Sequence, residues 1–146
     1  MSFQTEKGII RWKMHFLSPI GKVFSALSTN EGRSGYWAES APEVDGWVTF
    51  NILGYEPFSG RILKKHAPSL FALEYFGTIV EFSLHDDGNG GTELSLIATR
   101  VDESIRMEMA AGWVSVLMAM KAAVDHGVDL RNHDASRTWA GGYADN

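Results

Sequence analysis

The stretch MAAGWVSVLMAMKAAVDHG, residues 109–127, carries more apolar surface than one face of a helix needs, and what it covers decides the fold. Ala110, Trp113, Leu117, Met120 and Val124 recur at steps of three and four, the spacing of one helical face, and Val114, Met118 and Ala122 widen that face. Asp102 is placed to cap the start and Gly127 to stop the end. The pattern therefore predicts a helix from about Glu103 to His126, roughly 36 Å long at about 1.5 Å per residue.

The partner for that helix lies upstream. In Ile10, Trp12, Met14 and Phe16, apolar residues alternate with Arg11, Lys13 and His15, the signature of a strand with one buried side. SPIGKVFSALS, residues 18–28, then offers Ser18 as N-cap, Pro19 at the first helical position and Val23, Phe24 and Leu27 on one face of a short helix. TNEGRSGYW follows, with Thr29 or Asn30 as the cap of a second short helix that delivers Trp37 to the core. After the polar loop AESAPEVDG the period becomes two and stays so. Strands are predicted over 47–53, 58–66, 69–76, 78–85 and 92–101, with connections short enough to demand antiparallel neighbours. Glu74, Glu81 and Glu93 set the solvent face, which turns Phe71, Leu73, Tyr75, Val80, Phe82, Leu84, Leu94, Leu96 and Ala98 inward. One sheet with a single apolar face and one long apolar helix must cover each other.

Composition bounds the function. A chain of 146 residues that is 45% hydrophobic and 21% charged can bury a core without staples, and it reads as one domain over 1–130 with a tail over 131–146. Thirteen basic against eighteen acidic residues, interspersed, give a net charge of −5, which argues against a footprint for nucleic acid or anionic lipid. Cysteine is absent, which excludes disulfides, thiol catalysis and cysteine-ligated zinc. The N-terminal MSFQTEKGIIRWKMHF lacks the unbroken apolar core of a signal peptide. The uncharged run from Ala110 to Met120 is well short of the ~20 residues of a membrane span. No membrane insertion and a cytoplasmic location are the expectations.

Five fragments in order, SPIGKVFSALST followed by Trp37, DGWVTF, SGRILKKHAP, GTELSL and GWVSVL, span roughly residues 8–127. Together they resemble the START-like, pollen-allergen-like (SRPBCC) superfamily, in particular the branch of homologues of the heat-shock chaperone ATPase activator. The resemblance implies an α+β helix-grip fold, a curved antiparallel sheet wrapped around a long C-terminal helix with two short helices after the first strand. It also implies an apolar cavity between sheet and helix for a small hydrophobic molecule: a lipid, a sterol or a polyketide-like compound. The tail falls outside it.

Chemistry is sparse. His15, His66, His85, His126 and His133 show no paired metal-ligand spacing, and HDDGNGG at 85–91 reads as a hairpin turn, lacking the twelfth-position ligand of a calcium loop. Ser34 stands in no nucleophile elbow. No catalytic residue, metal or cofactor is nominated. The ligand-binding candidates are Trp12, Met14, Trp37, Phe50, Phe71, Tyr75, Phe82, Leu96, Trp113 and Leu117, which either line a cavity or simply fill the core. Arg100 joins them because it continues the inward phase of Leu94, Leu96 and Ala98, where it would meet a carboxylate ligand, pair with Glu103 or Glu108, or reach solvent; Arg106 is a further polar candidate. Two alternatives to ligand binding stand. A chaperone-associated or stress-related interaction module needs an exposed apolar patch, whereas the outward strand faces carry Glu and Lys. A cyclase- or hydrolase-type enzyme needs a buried acid or base, and none stands out. For the tail, polar residues and paired glycines predict mobility, while Trp139 and Tyr143 favour docking as a lid.

Overall fold

Alternation over Ile10–Phe16 does form a strand, β1, with Ile10 and Phe16 fully buried and Arg11, Lys13 and His15 exposed. The structure is a computed structural model describing residues 4–146; residues 1–3, where the N-terminal stretch and the expected domain begin, lie outside the described residues. Two helices follow, α1 (Ile20–Ser28) and α2 (Asn30–Ser34), and then strands β2 (Glu43–Val44), β3 (Trp47–Phe50), β4 (Phe58–His66), β5 (Leu70–Tyr75), β6 (Thr78–Asp86) and β7 (Thr92–Thr99). All pairings are antiparallel in one sheet of order β1-β7-β6-β5-β4-β3-β2, a meander to which β1 adds at the β7 edge. β3, β5 and β7 end earlier than predicted, and β2 lies in the stretch whose composition predicts a polar loop.

The sheet bends where its residues allow. Register shifts between Ile62 and Lys64, leaving Leu63 as an extra residue in β4. At Gly60 a Cβ would stand 1.9 Å from the Glu74 carbonyl oxygen, so only glycine permits that approach. Inward residues of β5, β6 and β7 keep the predicted phase: Phe71, Leu73, Val80, Phe82, Leu84, Leu94, Leu96 and Ala98 are buried, and Tyr75 nearly so.

The long helix α3 (Arg106–His126) is preceded by a single 3₁₀ turn (Glu103–Ile105) whose first N–H groups Asp102 caps: the Ser104 N–H donates to its carboxylate at 2.8 Å. Gly127 ends α3 in the left-handed conformation (φ 65°). Trp113, Leu117, Met120 and Val124 are buried against the sheet. By length and composition the segment Glu103–His126 is long and apolar enough for a membrane span, a stronger signal than its uncharged run suggests; here it packs its Trp113–Val124 stripe into the core of the domain.

Three expectations are corrected. Ser18 does not cap α1; Pro19 occupies that position without a side-chain bond, because the Ser18 hydroxyl is engaged by Asp125 at 2.8 Å. The apolar stripe of α3 is not widened inward by Val114 and Met118, which are 40% and 50% exposed and share an outward face with Met107, 88% exposed. Arg100 does not continue the inward phase, because β7 ends at Thr99 and Arg100 turns into the left-handed region (φ 59°) with its side chain exposed.

Candidate functional site

Aromatic residues from four parts of the chain converge at one end of the sheet. The α2 turn supplies Trp37. Its position is fixed by Arg33, a fully buried guanidinium that donates to the carbonyls of Ala41 (3.0 and 2.6 Å) and Leu27 (2.8 Å), while the Arg33 carbonyl accepts the Trp37 N–H at 2.8 Å. Burial pushes the Arg33 pKa down, and the carbonyls supply the compensation that a burial of this kind requires. Around the Trp37 ring stand Phe50, Tyr75, Phe82 and Trp113, with centroids 5.0, 5.5, 5.8 and 5.8 Å away.

The β5–β6 hairpin is closed by Phe76 and Gly77, both at positive φ (48° and 76°), the geometry of a two-residue turn. A bulky aromatic seldom adopts that conformation. Here it brings the Phe76 ring 4.1 Å from Phe58 and 4.7 Å from Tyr75. Together with α3 these residues wall a cavity of about 340 Å³, lined by Trp37, Tyr55, Tyr75, Phe76, Trp113 and Trp139 among others. Its size falls at the low end of the ~300–1,000 Å³ usual for small-molecule pockets.

The tail supplies part of the wall, through Trp139 and Asn146. Trp139 donates its indole N–H to Glu108 at 3.0 Å, and its ring passes over Gly112, where a Cβ would stand 3.9 Å from it. The Ser115 hydroxyl donates to the Ala144 carbonyl at 2.6 Å, and Asn146 reaches the cavity wall. At the other end the tail is tied by Arg131, which donates to the carbonyls of Ser34 and Ala38 (2.7 Å each) and to Asp129. His133 bridges Glu39 and Asp129, 2.7 Å from each. Its pKa is raised by the hydrogen bond to Asp129 first and by that to Glu39 second.

Polar atoms at the cavity are unbalanced. Among the described residues, three buried side-chain atoms lack a partner: Nε1 of Trp37, Nε1 of Trp113 and Nδ2 of Asn146. All three residues line this cavity, and all three atoms are donors. An unmet buried donor costs about 1–3 kcal/mol. Burial pushes the Tyr75 phenol's pKa well up; the neighbouring Trp37 indole opposes this, though without the geometry of a full hydrogen bond. Glu108 is the one charged side chain among the described lining residues. Among those residues no cluster of His, Asp and Glu is arranged to hold a metal.

Of the predicted candidates, Trp37, Tyr75 and Trp113 line the cavity. Phe50, Phe71, Phe82, Leu96 and Leu117 lie behind them as packed core. Trp12 and Met14 are half-buried on β1, and the Trp12 indole donates to the Ala110 carbonyl at 3.2 Å, a seam between β1 and α3. Arg100 sits by a separate polar dent with Glu74 and Thr78. Arg106 is turned away from the cavity, donating to the carbonyls of Gln4 and Glu6 and to Glu103. Sequence reasoning missed Ile52, Tyr55, Phe76, Ile105, Met109 and Val116. Ile52 continues the Val48–Phe50 alternation within the predicted strand 47–53 but lies past the end of β3; Tyr55, Phe76 and Ile105 come from a loop, a hairpin turn and a 3₁₀ segment; Met109 and Val116 flank the main α3 stripe, where an apolar neighbour of Trp113 is the available signal.

The sheet closed around α3 on one side and sealed by the two short helices decides the architecture. The fold is a helix grip. Among solved structures it is similar to protein SSP2350 from Staphylococcus saprophyticus, with a TM-score of 0.75 and 23% identity over 84% of this chain and 96% of that one. It is also similar to the Aha1 dimer from Colwellia psychrerythraea (TM-score 0.73, 17% identity, 82% and 97% covered). A third similarity is to DynU16 of the dynemicin biosynthetic locus (TM-score 0.72, 16% identity over 85% of this chain), about half of which, 49%, is covered. No family model matches the chain. No curated protein matches it either.

Proposed function

We propose that the protein binds a small apolar molecule in the cavity between the sheet and α3, with the tail as its cover. The observation that carries this reading is the wall itself: an aromatic-lined cavity of about 340 Å³ held by the buried Arg33 turn, the Phe76 hairpin and the docked Trp139. Apolar walls with a few orienting polar groups are what a small-molecule site requires. The volume favours a compact ring system over a sterol or a long acyl chain. The candidates Phe50, Phe71, Phe82, Leu96 and Leu117 support the wall from behind, and Trp37, Tyr75 and Trp113 touch the ligand. Native mass spectrometry of the protein purified from its own cytosol tests the reading. A copurifying small molecule is expected, displaced when Trp113→Ala removes the wall; an empty protein together with a thermal-shift panel of aromatic compounds that leaves the transition unmoved overturns it.

A second reading is favoured by one observation. Met107, Val114 and Met118 form an exposed apolar line on the outer face of α3, a patch of the kind that an interaction module needs. The Aha1 dimer shares the fold, and a chaperone partner of the kind suggested by the activator-homologue branch would dock there. A rise in a heat-shock chaperone's ATPase rate on adding the protein, abolished by Met118→Glu, supports this; no change in that rate discards it.

A further inference from the structure

The carboxylate at the rim of the cavity has no cation of the protein beside it. Glu108 is exposed in the first turn of α3, and among the described residues its one hydrogen bond comes from the Trp139 indole at 3.0 Å. The aromatic lining residues with free surface stand near it: Tyr55 and Phe76 are 39% and 40% exposed, and Trp139 is half-buried. Trp37, Tyr75 and Trp113 make up the buried part of the wall. The Tyr55 and Phe76 rings touch, with centroids 5.5 Å apart. Burial first, and then the charge of Glu108, push the Tyr55 phenol's pKa up, so the carboxylate acts on Tyr55 as well as on Trp139.

Aromatic rings and a carboxylate favour the same sign of charge. The rings attract a cation through their quadrupoles at short range, and the carboxylate attracts it at longer range. No Lys, Arg or His lines the cavity among the described residues, and Arg106 is spent on the carbonyls of Gln4 and Glu6 and on Glu103. The partial positive charge at the start of α3 is offset by Asp102, Glu103 and Glu108, of which Glu108 is the one that lines the cavity. An anionic head group would meet Glu108 with no compensating cation. A quaternary ammonium suits the rim for a further reason: it has no N–H to satisfy, so apolar surface and negative charge are all it requires of the wall. We infer that the cavity takes a compact apolar molecule bearing a quaternary-ammonium-type cation, with Glu108 as its counter-charge and Tyr55, Phe76 and Trp139 as the rings against which the cation rests. The inference rests on the cavity being a binding site and adds the sign of charge that its ligand carries.

Three phenols that differ only in one meta substituent test the sign: 3-(trimethylammonio)phenol, its neutral near-isostere 3-tert-butylphenol, and the anion 3-hydroxybenzoate. Each is titrated into the full chain and followed by NMR. The ammonium is expected to bind about tenfold more tightly than the tert-butyl compound, the combined effect of ring contacts and one nearby opposite charge, and the benzoate more weakly than either. The Trp139 indole N–H resonance, assigned with a Trp139→Phe variant, is expected to move with the ammonium, because its acceptor Glu108 is the counter-charge. Glu108→Gln keeps an acceptor for that indole and removes the charge at an exposed position. It should weaken the ammonium about fivefold and leave the tert-butyl compound within about twofold. Binding of the tert-butyl compound as tightly as the ammonium, or an ammonium affinity indifferent to Glu108→Gln, overturns the inference and leaves the cavity reading intact. Failure of all three probes to bind overturns both.

Discussion

Trp139 and Glu108 join the end of the chain to the first turns of α3 through one hydrogen bond of 3.0 Å, indole N–H to carboxylate. Gly112, one turn further along the helix, lies beneath the indole, where an added Cβ would meet the ring at 3.9 Å, an ordinary van der Waals contact. The tail is thus a wall of the cavity, and an aromatic residue is the piece of it that touches the mouth.

Cover and core are separable in that arrangement. Deleting residues 131–146 removes Trp139 and Asn146 from the wall but leaves the inward faces of β5–β7 and α3 in place. The expected outcome is a folded protein with a modestly lower melting temperature and a release rate for an aromatic probe at least about tenfold faster, since loss of a cover acts on dissociation. Stopped-flow displacement measures the rate. A truncated chain with unchanged release and unchanged melting would show that the tail covers nothing.

His133 makes the docking of that tail dependent on pH. Its charged form is favoured in the fold by the bonds to Asp129 and Glu39, with Arg131 the nearby opposing cation, so its folded pKa lies above its unfolded value of about 6.5. The contribution is complete below that value and is lost as pH rises through the raised one. Trp139 emission should therefore shift toward a solvent-exposed spectrum as pH rises from near neutrality into the mildly alkaline range, and His133→Gln should flatten the response. A Trp139 spectrum constant across that range, in a chain lacking the other tryptophans, counts against the clasp.

Leu117 tests the helix grip directly. It is 2% exposed at the centre of the α3 stripe. Leu117→Ala should cost about 2–5 kcal/mol in urea unfolding, the transfer of the lost methyl groups plus the cavity they leave. The matched change on the outer face, Met118→Ala, should stay within about 0.5 kcal/mol because that side chain is half in solvent.

These two neighbours show what was legible in the sequence. Period-two alternation fixed the inward faces of β1 and β5–β7, because burial on one side of a strand leaves a mark at every second residue. On α3 the rule was blunter. Val114 and Met118 are apolar, so composition alone joined them to the buried stripe, whereas the sheet covers only the narrower face centred on Trp113 and Leu117. Arg100 failed for a backbone reason, since a left-handed φ ends the alternation one residue earlier than the pattern suggests. The cavity was half legible: Trp37, Tyr75 and Trp113 follow from face assignment, but Tyr55, Phe76 and Trp139 reach it from a loop, a hairpin turn and the tail, where position in space is not written in any period. Polar composition argued for a free tail, and its pairing of Asp129, Arg131 and His133 with distant carbonyls and Glu39 is a tertiary fact.

Ser18 was expected to cap α1 and instead meets Asp125, and that exchange predicts acid sensitivity. The Asp125 carboxylate is fully buried at the C-terminal end of α3 and receives the N–H groups of Leu17 and Ser18 (2.9 and 3.1 Å), the Ser18 hydroxyl (2.8 Å) and the Lys121 ammonium (3.2 Å). Burial alone would raise its pKa, but these donors outweigh burial and hold it down to about 2, below the usual 3.8. A carboxyl depressed in the fold contributes its full stability above the unfolded pKa and loses it as pH falls through the folded one. Asp125→Ala should therefore destabilise the protein by about 1–3 kcal/mol at pH 7, by leaving two backbone N–H groups without an acceptor. Between pH 4 and about 2, the folded value, the wild type should lose the part of its stability that the variant already lacks, so the gap between the two urea midpoints narrows. A gap of constant width down to the lowest pH at which both still fold would mean that the carboxylate's charge plays no part in joining β1 to α3.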